Sequence, residues 1–213
     1  YSVSHDLRAP LRAIDGFSHA LLEESGHRLD EQGKKDLGRV RAASQMMGKL
    51  IDDLLNLSRL SRAEMKKEDV DLTEIASSIA QSLRDAEPNR KVEFVIEPGL
   101  HAVADPALIK IALDNLIGNA WKYTSKHATA RIEIGVCKKT DGKQAFFVRD
   151  DGAGFDPSFT PRLFGAFQRL HSAKEFPGTG IGLATVQRVV RRHGGTIWAE
   201  GAVEKGSTFY FTL

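Results

Sequence analysis

The chain has 213 residues, of which 41% are hydrophobic and 27% charged, with a formal net charge of +2. That length fits one large domain or two small ones with ordinary cores. The near-neutral balance, without a long basic block, gives no case for nucleic acid or an anionic membrane surface. The one cysteine, Cys137, excludes an internal disulfide framework and suits a reducing, cytoplasmic setting. It stands in an apolar run and is expected to be a buried small side chain. No apolar run approaches the roughly 20 residues that span a bilayer. Tyr1 already lies within a helical pattern, which implies an upstream part and leaves membrane attachment of the whole protein open.

Residues 1–66 read as two helices. Leu7, Leu11, Ile14, Leu21 and Leu22 recur at three- and four-residue steps, joined by Phe17, until a polar stretch from Glu24 to Asp30 interrupts them. Leu37, Val40, Met47, Leu50, Ile51, Leu54, Leu57 and Leu60 continue at near-heptad spacing, with Ser44 and Ser58 diluting the seam. A hairpin cannot bury such a stripe alone, so it reads as half of a dimeric four-helix bundle. Met65 to Asp69 reads as a charged hinge. Asp71 and Glu74 form a capping-box pattern opening a helix that ends before Pro88.

The pattern then alternates between strand and helix. Lys91–Ile96 is a strand, and Asp105-Pro106 opens a helix to about Tyr123. Arg131–Val136 and Ala145–Val148 are strands. Gly180–His193 is a helix stopped by Gly194-Gly195, with Arg191-Arg192-His193 a solvated helix end. Strands at Thr196–Glu200 and Ser207–Leu213 close the chain. The fold class is α+β with two domains: a helical hairpin (1–66), then an α/β sandwich (70–213) with helices on one face of one sheet.

Four groups of residues carry chemistry. His5 shares a stripe with Ala9, Arg12, Gly16 and His19, opposite the leucines, and is expected to be exposed. Asp6 beside it can hold Nδ1–H and leave Nε2 to attack phosphorus, while Pro10 bends the helix below. In Asp114–Tyr123, the residues Asn115, Asn119 and Lys122 fall on one helical face; two carboxamides can offer oxygen to Mg²⁺, and lysine can neutralise phosphate. Asp150, at a strand end before Gly152 and Gly154, can accept from an adenine amino group. Gly178, Thr179, Gly180 and Gly182 open a helix, a natural triphosphate site through backbone N–H groups and the helix dipole. Between the last two, Asp156–Pro177 is too long for a plain connection and reads as a functional lid, its Phe159, Phe164 and Phe167 candidates for docking.

In this order and spacing the groups resemble the sensor histidine kinases of two-component signalling. Ser4–Leu11 is similar to their phospho-acceptor box, Asp114–Tyr123 to the asparagine box and Asp150–Gly154 to the Asp-x-Gly-x-Gly box. Leu163–Arg169 is similar to the phenylalanine box and Gly178–Gly182 to the second glycine box. The resemblance implies an ATP- and Mg²⁺-dependent kinase in which His5 is phosphorylated and Asp6 polarises it. Asn119, with Asn115, would hold Mg²⁺. Lys122, Tyr123 and Arg169 would contact phosphates, Asp150 would read adenine, and Gly152, Gly154, Gly178, Thr179, Gly180 and Gly182 would shape the pocket and its lid. It also implies a homodimer through residues 1–66, a response-regulator receiver domain as partner and an upstream sensor; the stripe of Arg12, Gly16 and His19, which continues the face of His5, is expected to contact the receiver. Ala9 departs from the pattern, because many relatives carry Thr or Asn there to place a water for dephosphorylating the receiver. Competing readings are a nucleotide-binding scaffold, which degenerate boxes would favour, and a topoisomerase-type ATPase, which needs no His5 helix.

Overall fold

The computed structural model describes residues 2–60, 64–138, 144–172 and 175–213, and the side chains of 2–7, 53, 54 and 56–60 lie outside the description. The chain divides into two units, Tyr1–Arg62 and Ala63–Leu213. The first is a hairpin of α1 (Ser2–Ser25) and α2 (Glu31–Leu60), joined by a short 3₁₀ turn at Gly26–Arg28. Within it, Leu11, Ser18 and Ser44 are buried. Ser44 does not dilute the seam: its hydroxyl donates to the Leu11 carbonyl at 2.8 Å, a polar tie between the helices. Arg8 with Asp52 and Arg41 with Asp15 add ion pairs across the same junction. Ile14, Phe17, Leu21, Val40, Met46 and Met47 stay exposed.

The second unit opens with β1 (Glu68–Asp71), α3 (Leu72–Ala86), β2 (Val92–Ile96), β3 (His101–Ala104) and α4 (Pro106–Tyr123). It continues with β4 (Ala130–Lys138), β5 (Gln144–Asp150), α5 (Gly182–His193), β6 (Ile197–Gly201) and β7 (Ser207–Phe211). Five strands form one sheet in the order β2-β4-β5-β7-β6; only β2 and β4 run parallel. Alternate residues of β4 and β5, such as Ile132, Ile134, Phe146 and Val148, face the helices and are buried. Ala76, Ile79, Ile109, Leu113, Leu116, Val186 and Val190 meet them from α3, α4 and α5. Each such side chain contributes about 1.5–3 kcal/mol on burial, so this unit carries its own core.

Three expectations need correction. The stretch from Met65 to Asp69 is not hinge throughout: from Glu68 it is β1, which pairs antiparallel with β3 in a separate two-stranded sheet. Cys137 is half-buried at the end of β4, its thiol 3.5 Å from the Ala145 carbonyl, because the strand alternation turns it away from the helices. His193 is no solvated end. It follows Val186, Val189 and Val190 on the inner face of α5 and is 5% exposed. The helix itself starts at Gly182, and Gly194 ends it in the left-handed conformation at φ 90°. Among the described residues no helix is long and apolar enough to cross a membrane.

Candidate active site

Helix α4 displays one side of the site. The Asp105 carboxylate caps it, accepting from the N–H groups of Ala107 and Leu108 at 3.1 Å each. The apolar face, including Leu113, Leu116 and Ile117, is pinned in the core, so Asn115, Asn119 and Lys122 emerge together on a half-buried face. Asn115 donates through Nδ2 to the Ile111 carbonyl at 2.8 Å, which directs its Oδ1 away from the helix. Lys122 donates to Asn119 Oδ1 at 3.1 Å and lies 4.2 Å over the Tyr123 ring.

Asn115, Lys122 and Tyr123 each meet a glycine. A Cβ on Gly182 would stand 2.6 Å from Asn115 Oδ1, one on Gly178 would stand 3.3 Å from Lys122 Nζ, and one on Gly152 would stand 2.5 Å from the Tyr123 carbonyl oxygen. The glycine run therefore approaches the asparagine helix this closely because the contacting positions, Gly178 and Gly182, carry no side chain. Thr179 lies within that run, between Gly178 and Gly180.

Asp150 ends β5 with 4% of its surface exposed. Its Oδ1 accepts from the Gly152 N–H at 2.9 Å and its Oδ2 from the Ser207 hydroxyl at 2.6 Å. Burial pushes its carboxyl above the ordinary value, and the donors from Ser207 and Gly152 only partly offset this. A carboxylate has about four lone-pair sites, so capacity to accept remains. Gly154 follows at φ 60°, where a Cβ would collide with the Ala202 carbonyl.

The lid closes the remaining side. Asp156 caps a 3₁₀ turn at Pro157–Arg162, its carboxylate accepting from Ser158 N–H at 2.8 Å. Leu163 and Phe176 are buried, whereas Phe159 and Phe167 are exposed and Phe164 is intermediate. Arg169 donates to the Phe176 carbonyl at 2.7 Å. His171 bonds the Gly154 carbonyl through Nε2 at 2.9 Å, and its ring packs 5.2 Å from Tyr123 and 5.1 Å from Phe176. Tyr123, Gly154, Arg169, His171, Leu183 and Ser207 are among the residues lining a cavity of about 50 Å³ there. Burial raises the Tyr123 phenol above its ordinary pKa, against the opposing charge of Arg169.

Asn115, Asn119, Lys122, Tyr123, Asp150, Gly152, Gly154, Arg169 and the glycine run thus converge on one region of the second unit. His5 and Asp6 lie in α1, and their side chains fall outside the described residues. Ala9, Arg12, Gly16 and His19 are all exposed, as the stripe requires, with His19 3.3 Å from Glu23. Three residues of the second unit escaped the sequence reading: Ser207, His171 and Phe176. Ser207 had a faint signal, a small polar residue opening an apolar strand. The pairing of β5 with β7 sets it directly opposite Asp150.

These features define an ATPase module of the kinase, gyrase and chaperone class preceded by a helical hairpin. Residues 104–213 match the family model described as histidine kinase-, DNA gyrase B-, and HSP90-like ATPase, and residues 1–63 match the His kinase A phospho-acceptor domain. The chain belongs to the two-component sensor histidine kinases.

It is 40% identical over 215 residues to cyanobacterial phytochrome B of Nostoc sp., covering 100% of this chain and 28% of that protein. It is 34% identical over 215 residues to the methanogenesis regulatory histidine kinase FilI of Methanothrix harundinacea, covering 100% and 24%. The chain thus spans about a quarter of the length of these relatives. Among solved structures, full-length ShkA in complex with AMPPNP superposes with a TM-score of 0.68 at 26% identity, over 99% of this chain and 44% of that one. The mycobacterial sensor histidine kinase MprB gives a TM-score of 0.57 at 26% identity, over 68% of this chain and 95% of that one.

Proposed function

We propose that this chain moves the γ-phosphoryl group of ATP to Nε2 of His5 and then to an aspartate of a response-regulator receiver domain. The observation that carries the reading is the abutment of Asn115, Lys122 and Tyr123 on glycines from two other boxes, which builds one nucleotide site from three distant segments. Asp150, fixed by Gly152 and Ser207, accepts from the adenine amino group. Lys122 and the backbone N–H groups at the head of α5 receive the phosphates. Tyr123 and Arg169 flank them. The carboxamide oxygens of Asn119 and Asn115 suit a hard cation, and Oδ1 of Asn115 is directed away from its own helix. Bound there, Mg²⁺ would neutralise charge on the phosphates.

In the transfer, Nε2 of His5 forms a bond to phosphorus as the bond to the ADP oxygen breaks. Asp6 holds Nδ1–H, so the ring attacks in the correct tautomer. Proline at position 10 has no N–H for the Asp6 carbonyl, which loosens the helix at the nucleophile. A receiver carboxylate then takes the phosphoryl group, and the N–P bond breaks.

Residues 1–66 serve as dimerisation and phosphotransfer hairpin, and residues 70–213 as the ATP-binding domain. The exposed Ile14, Phe17, Leu21, Val40 and Met47 support a homodimer. The receiver docks on the exposed stripe of Arg12, Gly16 and His19. An upstream sensor and a cytoplasmic setting complete the reading. Ala9 has no group to orient a water, so the kinase direction dominates. Ala9→Thr should raise dephosphorylation of purified phosphorylated receiver by a factor of tens, about 2 kcal/mol.

The deciding experiment is incubation with γ-labelled ATP and Mg²⁺. Label should be acid-labile and base-stable, and absent from His5→Ala. Label persisting unchanged in that variant would sink the assignment.

A further inference from the structure

His193 is a buried titratable group that the phosphoryl-transfer scheme leaves unused, and its two ring nitrogens have partners of opposite kind. Nδ1 lies 2.8 Å from the Val189 carbonyl, which can only accept. Nε2 lies 3.0 Å from the backbone N–H of Asp105, which can only donate. The ring is therefore the neutral Nδ1–H tautomer, and its bond to Asp105 exists only while Nε2 is bare.

Around it the chain converges from three directions. Asp105 heads α4, and its Oδ2 accepts from the Lys66 N–H at 3.0 Å. Lys67 Nζ donates to the His193 carbonyl at 3.0 Å. Burial opposes ionisation of Asp105, but the N–H groups of Lys66, Leu108 and Ala107 outweigh it and hold the carboxyl below its ordinary range. The segment following the hairpin is thus fastened to both helices of the nucleotide site, at the ends opposite that site. Farther along the pair, Gly182 at the start of α5 abuts Asn115 midway along α4.

We propose that His193 is a positioning residue for phosphoryl transfer: it clasps the connecting segment Lys66–Lys67 to the α4–α5 pair, and protonation of its ring opens the clasp. A proton on Nε2 removes the acceptor and sets N–H against N–H. The imidazolium must then turn to the Asp105 carboxylate and displace the Lys66 N–H. The charged groups around the ring are Asp105 from α4 and Lys67 from the connecting segment, with Arg191 and Arg192 preceding it on α5. The last turn of α5 favours a cation while the first turn of α4 opposes one, so the helix dipoles largely cancel.

The activity arm of the test rests on the kinase reading; the cleavage arm does not. Trypsin cuts after Lys66 and Lys67, so limited proteolysis of the whole chain reports the clasp directly, with rates corrected by an unfolded reference peptide at each pH. Cleavage there should be about tenfold faster at pH 5.5 than at pH 7.5. In His193→Gln, whose amide oxygen can accept but does not titrate, the rates should be equal at the two pH values. In His193→Ala cleavage should be fast at both. From pH 7.5 to 5.5 autophosphorylation kcat should fall several-fold further in the unmodified chain than in His193→Gln, at an unchanged KM for ATP, the fall common to both belonging to the attacking imidazole. An equally steep cleavage profile in His193→Gln overturns the clasp. Cleavage that rises while the unmodified chain and His193→Gln share one kcat profile overturns the positioning role. Absence of phosphorylation in every variant, with the cleavage pattern as expected, would fault the kinase reading alone.

Discussion

Glycine is used in opposite ways by the two units. In the hairpin, Gly16, Gly38 and Gly48 have open space where a Cβ would stand. In the ATPase unit, Gly152, Gly154, Gly180, Gly182 and Gly206 each press on backbone or on a fixed side chain. Gly16, Gly38 and Gly48 cost helix stability and meet nothing within the chain that would require a glycine. Those of the second unit make the site possible. One unit carries its own core, whereas the other exposes Phe17 at 73% and Leu21 at 50%, the surface that the proposed homodimer would cover.

The comparison breaks first at Gly154. Alanine there puts a Cβ into the Ala202 carbonyl at positive φ, so Gly154→Ala should destabilise the second unit by about 4 kcal/mol. That is a large part of an ordinary domain's stability. Calorimetry of the whole chain should show the transition of the second unit lowered and ATP binding lost; an unchanged transition would mean that the turn tolerates a side chain.

Phe17→Glu tests the other half of the contrast. Two copies lost from an apolar seam, at about 2 kcal/mol each, should weaken dimerisation roughly a thousandfold. Sedimentation equilibrium reads this, and the melting of the second unit should not move. A dimer as tight as before would place the seam elsewhere.

Asp150→Asn sharpens the description of the cradle. ATP affinity should fall by about 1.5–3 kcal/mol, the value of a hydrogen bond to a charged group, with nucleotide titration as the measurement. The same variant isolates a pH term. Burial raises the folded carboxyl above its unfolded value of about 3.9, so the fold prefers the neutral form. The associated stability is complete below that unfolded value and is lost as pH rises through the raised one. Subtracting the variant's denaturation profile from that of the unmodified chain should leave a curve that declines with pH. A flat difference removes Asp150 from the linkage.

The smallest effect belongs to Gly16→Ala. With nothing within 4 Å of the new methyl, the hairpin should gain about 1 kcal/mol. Slower transfer to a receiver in that variant would show that the glycine is kept for close approach by a partner, and an unchanged rate would reduce it to a tolerated defect.

Much of this was legible because the signals were local. The Asp71 and Asp105 caps, the proline at position 106 and the stop at Gly194 are short-range chemistry, and the helices appear where those residues put them. What escaped reading depends on distant partners. Glu68-Asp69 looks like the end of a charged hinge until β3 pairs with β1, and a strand of four residues has too few alternations to announce itself. Ser207 acquires its place from Asp150, 57 residues away. The sequence run Arg191-Arg192-His193 is charged along the chain but not around the helix, and only the register of α5 separates the exposed arginine from the buried imidazole.

The strand order has a consequence for how the protein is made. Strand β7 is last in sequence but lies inside the sheet, between β5 and β6. Until Ser207–Phe211 has left the ribosome, β5 and β6 have no common neighbour and Asp150 lacks its serine. Domains emerge and fold from the N-terminus as synthesis proceeds. The hairpin therefore leaves the ribosome and is free to fold well before the cradle around Asp150 is complete.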